Sequence, residues 1–173
     1  MRRVCGWCKD NLDPELGHEA DAPVTHGICS SCALKITTGT SRSAREMLDL
    51  VEEPVFLLGE DGVLHAVNRS GCRLVGKDAD SIADQLLGDV FECVNAGLPG
   101  GCGASIHCSM CTMRTTLLET LKTGKGTSCL PATKNINAPD GEREVHFLIS
   151  TEKVDGKILM RIEAVEPAEQ ANN

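Results

Sequence analysis

Eight cysteines in two short sets constrain this chain more than any other feature. The first set is Cys5-Gly6-Trp7-Cys8, then twenty residues, then Cys29-Ser30-Ser31-Cys32. The second is Cys93, eight residues, Cys102, five residues, then Cys108-Ser109-Met110-Cys111. Thiols two residues apart can reach one tetrahedral ion about 2.3 Å from each sulfur, and two such pairs complete a four-sulfur site. In a reducing compartment clustered cysteines read as metal ligands or redox thiols before they read as disulfides. The chain is therefore expected to hold two metal centres, one through Cys5, Cys8, Cys29 and Cys32 and one through Cys93, Cys102, Cys108 and Cys111.

The two sites carry different expectations. Between the first pairs, residues 9–28 are polar and broken by Pro14, Gly17, Pro23 and Gly27. Such a segment buries too little apolar surface to offset chain entropy, so a structural zinc supplies the folding energy. Gly6 and Gly27 allow bends near the sulfurs. His18 and His26 lie nearby but find the tetrahedron already filled. The second set sits around the glycine-rich run 97–103, a loop that needs a tie of its own. Four thiolates suit either a zinc ion or an iron–sulfur cluster there, and ligand softness alone does not separate the two. Cys108 and Cys111 also stand at a helix start, where the positive end of the dipole favours thiolates. Cys72 and Cys129 read as small core thiols.

Charge and composition exclude several classes. The net charge is −8 and no Lys/Arg run exceeds Arg2-Arg3, which argues against a nucleic-acid partner. No apolar run is long enough for a membrane span, and the two arginines lead into no signal-like segment. A cytoplasmic location is expected. No glycine-rich phosphate loop, nucleophile elbow or metalloprotease helix is present, so no enzymatic activity is expected.

The periodicity beyond residue 43 reads as a denser domain. A helix over 43–53, with Ser43 and Glu46 as a capping box, stops at Pro54. Val55–Leu58 and Val63–Val67 form a hairpin around Glu60-Asp61-Gly62. Short helices follow at 72–75 and 80–87. Met110 to Leu121 is a longer helix with Met110, Met113, Leu117 and Leu121 on one face. Strands follow at 129–134, 145–151 and 158–165. This order suits an antiparallel sheet with helices on one face, an α+β fold. The expected organisation is a metal-stabilised element at 1–36, a polar linker at 37–43, the α+β domain at 44–166 and a polar tail at 167–173.

Several stretches carry a family resemblance. Glu53-Pro54-Val55-Phe56-Leu57-Leu58, then Asp61-Gly62 opening Val63 to Asn68, then Leu74-Val75-Gly76, resemble a PAS sensor domain over about residues 44–165. Gly88 to Cys93, Gly100 to Gly103 and His107 to Cys111 resemble a cysteine-containing subset of PAS domains in bacterial sensory proteins. Cys5 to Lys9 with His26 to Cys32 is similar to a zinc-ribbon-like four-cysteine element that accompanies bacterial histidine kinases. The resemblance implies a PAS-like antiparallel five-stranded sheet and a role in signal transduction of the two-component type. The output would lie in a partner protein such as a sensor kinase, because little chain follows the last expected strand. A homodimer through the PAS domain is a further option. An iron–sulfur redox protein and a purely structural zinc-bound adaptor are the alternatives.

Overall fold

The computed structural model describes residues 2–14, 22–38 and 41–167. His18 of the first inter-pair segment, Gly39 and Thr40 of the expected linker, and residues 168–173 of the tail lie outside them. The fold is α+β, built on a five-stranded antiparallel sheet as the resemblance implies. In chain order it runs β1 (Arg2–Cys5), β2 (Val24–Gly27), α1 (Ser30–Thr37), α2 (Ser41–Leu48), β3 (Val55–Leu58) and β4 (Leu64–Val67). Then come α3 (Arg69–Val75), α4 (Ala79–Ile82), α5 (Leu87–Val90), α6 (Thr112–Thr123), β5 (Thr127–Ala138), β6 (Gly141–Val154) and β7 (Lys157–Pro167). The spatial order of the large sheet is β4-β3-β7-β6-β5, so the first strand of the hairpin and the last strand of the chain pair at its centre.

Strand β3 shows why the sheet is layered as it is. Val55, Phe56, Leu57 and Leu58 are all fully buried. Successive side chains of a strand point to opposite faces, so a solid apolar run demands cover on both. Phe56 and Leu58 join an inner core with Met160 and Ile158 of β7, Val90 of α5 and Leu117 of α6. Val55 and Leu57 join an outer layer with Leu159 of β7, Leu48 of α2, and Cys5, Ile28, Cys32 and Ile36 of the N-terminal segment. Three of the chain's four aromatic residues lie in the inner core. Phe91 lies 5.2 Å from Phe56 and stands edge-on to Phe147 at 5.6 Å, geometries that suit aromatic quadrupoles.

The outer layer is the principal departure from expectation. Helices were expected on one face; α1, α2 and the parallel pair β1–β2 cover the other. The N-terminal segment also carries apolar surface of its own in Ile28 and Ile36, each worth about 1.5–3 kcal/mol when fully buried. Polar ties fix its seat. Buried Arg161 of β7 donates from its NH1 group to the His26 carbonyl at 2.7 Å, the Ile28 N–H donates to Glu152 Oε2 at 3.0 Å, and Trp7 Nε1 donates to the Met47 carbonyl at 2.7 Å.

Smaller differences have local causes. The 43–53 helix begins at Ser41, inside the expected linker, and ends at Leu48, so Ser43 lies within it rather than capping it. The 80–87 helix is split by Asp84, whose φ of 59° no helix accepts. The long helix starts at Thr112, after a three-ten turn over Cys108–Met110, which leaves Met110 exposed rather than on the apolar face. Cys129 is not a core thiol. It sits exposed at a register shift of β5, with φ 49°. Among the described residues no helix is long and apolar enough to cross a membrane.

Asn68, at the end of the hairpin, joins the two layers to the sheet. It is buried and uses its whole amide. Oδ1 accepts from the Val55 N–H at 3.0 Å and the Gly71 N–H at 2.8 Å, the second bond capping α3. Nδ2 lies within donating range of the carbonyls of Leu48, Val51 and Glu53 at 3.3, 3.2 and 2.8 Å. Removing it strands several buried backbone groups, each worth roughly 1–3 kcal/mol, along with a helix cap. Asn68→Ala is expected to lower stability by about 3 kcal/mol or more in urea denaturation, and Asn68→Asp by a comparable amount because it keeps the acceptor and loses the donors.

Candidate metal centre and cavity

The first cysteine set is assembled by two short turns. Cys5 ends β1 and the chain folds back at once, with Lys9 N–H donating to the Cys5 carbonyl at 2.9 Å and Lys9 Nζ to that of Gly6 at 2.7 Å. Cys29 is the N-cap of α1, and its sulfur accepts the Cys32 N–H at 3.4 Å. The Cys29 N–H in turn points at the Cys5 sulfur at 3.4 Å. Parallel pairing of β1 with β2 sets Cys5 opposite Gly27 and brings the two turns together. A Cβ on Gly27 would lie 2.7 Å from the end of the Leu12 side chain, which would have to move aside to admit one.

All four sulfurs lie within 4.8 Å of one another, and those of Cys8 and Cys29 are 3.6 Å apart. A tetrahedron with zinc–sulfur bonds of about 2.3 Å has edges of about 3.8 Å. The residues therefore fit a single zinc-sized ion. Cys5 and Cys32 are buried in the outer layer while Cys8 is exposed, so the site lies at the edge of that layer. His26 is no ligand; its Nδ1 stands 3.6 Å from Glu53 Oε1.

The protonation of the group follows from its crowding. Burial works against the Cys5 thiolate, but N–H groups of Cys8, Cys29 and Trp7 stabilise it and bring its pKa down to about 7. Cys32 is pushed up to about 11 by burial and by the neighbouring sulfurs of Cys29 and Cys5. Cys8 is also raised. The Asp10 N–H opposes this, but the Asp10 carboxylate accepts the thiol proton at 3.2 Å and the sulfurs of Cys5 and Cys29 crowd it. One thiolate is readily formed, and further ones need a cation among them.

The second set is arranged differently. Cys93 follows α5, with its N–H on the Gly88 carbonyl at 2.7 Å and a bridge to Ile136. Cys102 fits against Gly88, where a Cβ would lie 2.5 Å from its sulfur. Cys108 accepts the Gly103 N–H at 3.2 Å, and Cys111 is the residue before α6. Burial raises the Cys102 thiol, against the Gly88 N–H and the Lys134 charge. Among the described residues these four sulfurs do not form a second group within 4.8 Å of one another. Cys93 is tied to Gly88 and to β5, Cys102 lies in the glycine loop against Gly88, Cys108 is held by the Gly103 N–H and Cys111 precedes α6, so no pair of turns gathers the four sulfurs as in the first set. The spacing needed for one zinc is met by the first set and not by this one.

A cavity of about 230 Å³ lies beside the second set, between the inner face of the sheet and α6. Leu58, Leu87, Met113, Leu117 and Ile158 form its apolar wall, and Cys102 and Cys111 open onto it. A pocket between the sheet and the helices is implied by the PAS resemblance; its lining residues emerge only from the packing of α6 against the sheet.

No family model matches the chain, and no curated protein matches its sequence. Similar solved structures exist. One is a domain of a sensory box sensor histidine kinase/response regulator from Geobacter sulfurreducens, 17% identical, covering 72% of this chain and 93% of that one with a TM-score of 0.46. Another is the PAS domain of nitrogen regulation protein NR(II) from Vibrio parahaemolyticus, 14% identical over 69% and 95%, TM-score 0.45. A third is the LOV protein of Rhodobacter sphaeroides, 12% identical over 83% and 71%, TM-score 0.48. These are similarities of chain path.

Metal content should follow the geometry. Zinc titration of the protein is expected to give one tight equivalent, lost in Cys32→Ser and kept in Cys102→Ser. Because Cys8 and Cys32 hold protons at neutral pH, zinc uptake releases them and affinity falls as pH falls. The fall steepens below about pH 7, where Cys5 also becomes protonated. Competition with a chromophoric chelator on either side of that pH measures this; iron and inorganic sulfide in anaerobically purified protein would assign a cluster to the second set instead.

Proposed function

We propose that this chain is a cytoplasmic, non-enzymatic signalling module of the PAS type, which perceives a small-molecule or redox change and passes it to a partner protein such as a sensor kinase. One observation carries the reading. Strands β3 and β7 present Leu58 and Ile158 to the cavity on one face, and Leu57 and Leu159 to the layer containing Cys5 and Cys32 on the other. These neighbours are paired in register, Leu57 with Leu159 and Leu58 with Ile158. A change in cavity filling therefore displaces residues whose sequence neighbours pack beneath the metal centre, and close-packed interiors transmit such strain. A ligand that prefers one arrangement shifts the population toward it.

In this reading the metal is structural zinc in the first set, and the N-terminal element is the surface that the partner meets. The signal does not leave through the bare sheet, because that element already covers the part of the sheet formed by β3 and β7. Cys102 and Cys111, on the cavity wall, supply the redox route, with an iron–sulfur centre at the second set as its stronger form.

Leu117→Phe enlarges a side chain on the cavity wall and tests transmission. The rate of zinc release to a chelator is expected to change several-fold relative to wild type while the circular dichroism spectrum is kept. Equal release rates with the cavity filled would mean that the two faces are independent. Pure protein is also expected to turn over no ATP.

A further inference from the structure

The four sulfurs of the first set are gathered but not equivalent. Cys5 and Cys32 are buried, Cys29 is half-buried and Cys8 is exposed. The sulfurs of Cys8 and Cys29 stand 3.6 Å apart, across the two turns rather than within one. Cys8 also has a carboxylate beside it, with Asp10 Oδ2 3.2 Å from its sulfur. The turn fixes Asp10 there, because the Cys5 N–H donates to the Asp10 carbonyl at 2.7 Å. A cation in the set needs Cys8 as a thiolate, and a neighbouring carboxylate adds like charge against that form. Exposure lets an oxidant in the solvent reach the same sulfur, and oxidation of thiolates follows exposure. Cys129 is exposed too, but it lies on β5 and belongs to no gathered group among the described residues.

We infer that Cys8 and Cys29 are an oxidisable pair, which a hydroperoxide converts to a disulfide that withdraws two of the four sulfurs from the ion, with Asp10 making Cys8 the sulfur that reacts. The Cys8 thiolate attacks the O–O bond. An S–O bond forms, the O–O bond breaks, and the departing alkoxide or hydroxide takes a proton from water. The Cys29 thiolate then attacks the sulfur of the Cys8 sulfenic acid. The S–S bond forms, the S–O bond breaks, and hydroxide leaves and is protonated to water. The two thiolates supply the two electrons that reduce one peroxide. Cys5 and Cys32 then remain as the only thiolates of the set, too few for a four-coordinate structural site. The change falls in the N-terminal element, the surface assigned above to the partner. The inference rests on the redox form of that reading and deepens it by naming the oxidant class and the residues, and the disulfide can be mapped whether or not zinc is bound.

The zinc-loaded full chain is treated with one equivalent of hydrogen peroxide, quenched with iodoacetamide and mapped by tandem mass spectrometry, while a chromophoric chelator reads the zinc set free. The first product is expected to carry a link between Cys8 and Cys29 with Cys5 and Cys32 alkylated, and zinc should appear on the same time course. Dithiothreitol with added zinc should restore the starting mass and the bound ion. Cys102→Ser, which leaves the first set whole, should give the same link at the wild-type rate. Asp10→Asn, which keeps the turn and removes the charge, should slow both readouts several-fold at unchanged zinc stoichiometry; an equal rate would overturn the part given to Asp10. A first disulfide elsewhere, whether within either Cys-x-x-Cys turn or in the second set, sinks the pair, as does zinc that stays bound once the peroxide is consumed. If the chain takes up no zinc yet the link forms, the pair stands and the zinc reading fails. If zinc binds and no link forms, the zinc reading stands and the pair fails.

Discussion

Strand β3 is buried on both faces, and the rest of the molecule is arranged to meet that demand. A strand of an antiparallel sheet with one wet face alternates apolar and polar residues. Val55-Phe56-Leu57-Leu58 does not alternate. Helices α3 to α6 satisfy Phe56 and Leu58, and the helices flanking the β1–β2 pair satisfy Val55 and Leu57. The N-terminal segment is therefore a second cover for the central strands, and the cysteine group sits at the edge of that cover. A metal held by these cysteines would not have to organise an isolated polar loop. Zinc binding there, worth about 10–16 kcal/mol in structural zinc peptides, would add to apolar burial at Ile28 and Ile36 and to the hydrogen bonds of Arg161, Glu152 and Trp7.

Asn68 makes this two-sided arrangement a single structure. Its amide sits where the end of β4, the start of β3, the N-terminus of α3 and the chain leaving α2 converge. Apolar packing has no direction and would tolerate some sliding of α2 over the sheet. Hydrogen bonds to carbonyls on both sides of the turn do not. The same residue carried part of the PAS resemblance in the sequence, and the structure supplies the physical reason: only a side chain that both donates and accepts can close this junction.

The inner face poses the opposite problem. The core is well filled around the three phenylalanines, yet next to α6 it leaves a cavity. The departure from good packing is local, and it is bounded by the glycine-rich approach and by two cysteines of the second set. Lapses of this kind in an otherwise consistent core are where function is expected.

The residues alone determined a good deal. The spacing of Cys5, Cys8, Cys29 and Cys32 pointed to one four-sulfur centre, and the structure gathers those sulfurs. The hairpin, the long helix and the last three strands were legible because period-two and period-3.6 patterns with turn residues between them are local properties. The solid apolar run of β3 was legible too, but the covered outer face it demands was not part of the expectation, which placed helices on one face. What covered it depended on where a polar, proline-broken segment docks, which no local pattern encodes. The second cysteine set shows the same limit. Its spacing resembles a ligand set, but spacing along the chain does not fix distance when each thiol is seated by its own local contacts rather than by a shared pair of turns. Lys134 reads as an ordinary strand lysine until β5 is placed opposite α6. Only tertiary packing turns it inward, because the face a strand residue occupies depends on register with its neighbours, and that register is set by the sheet as a whole.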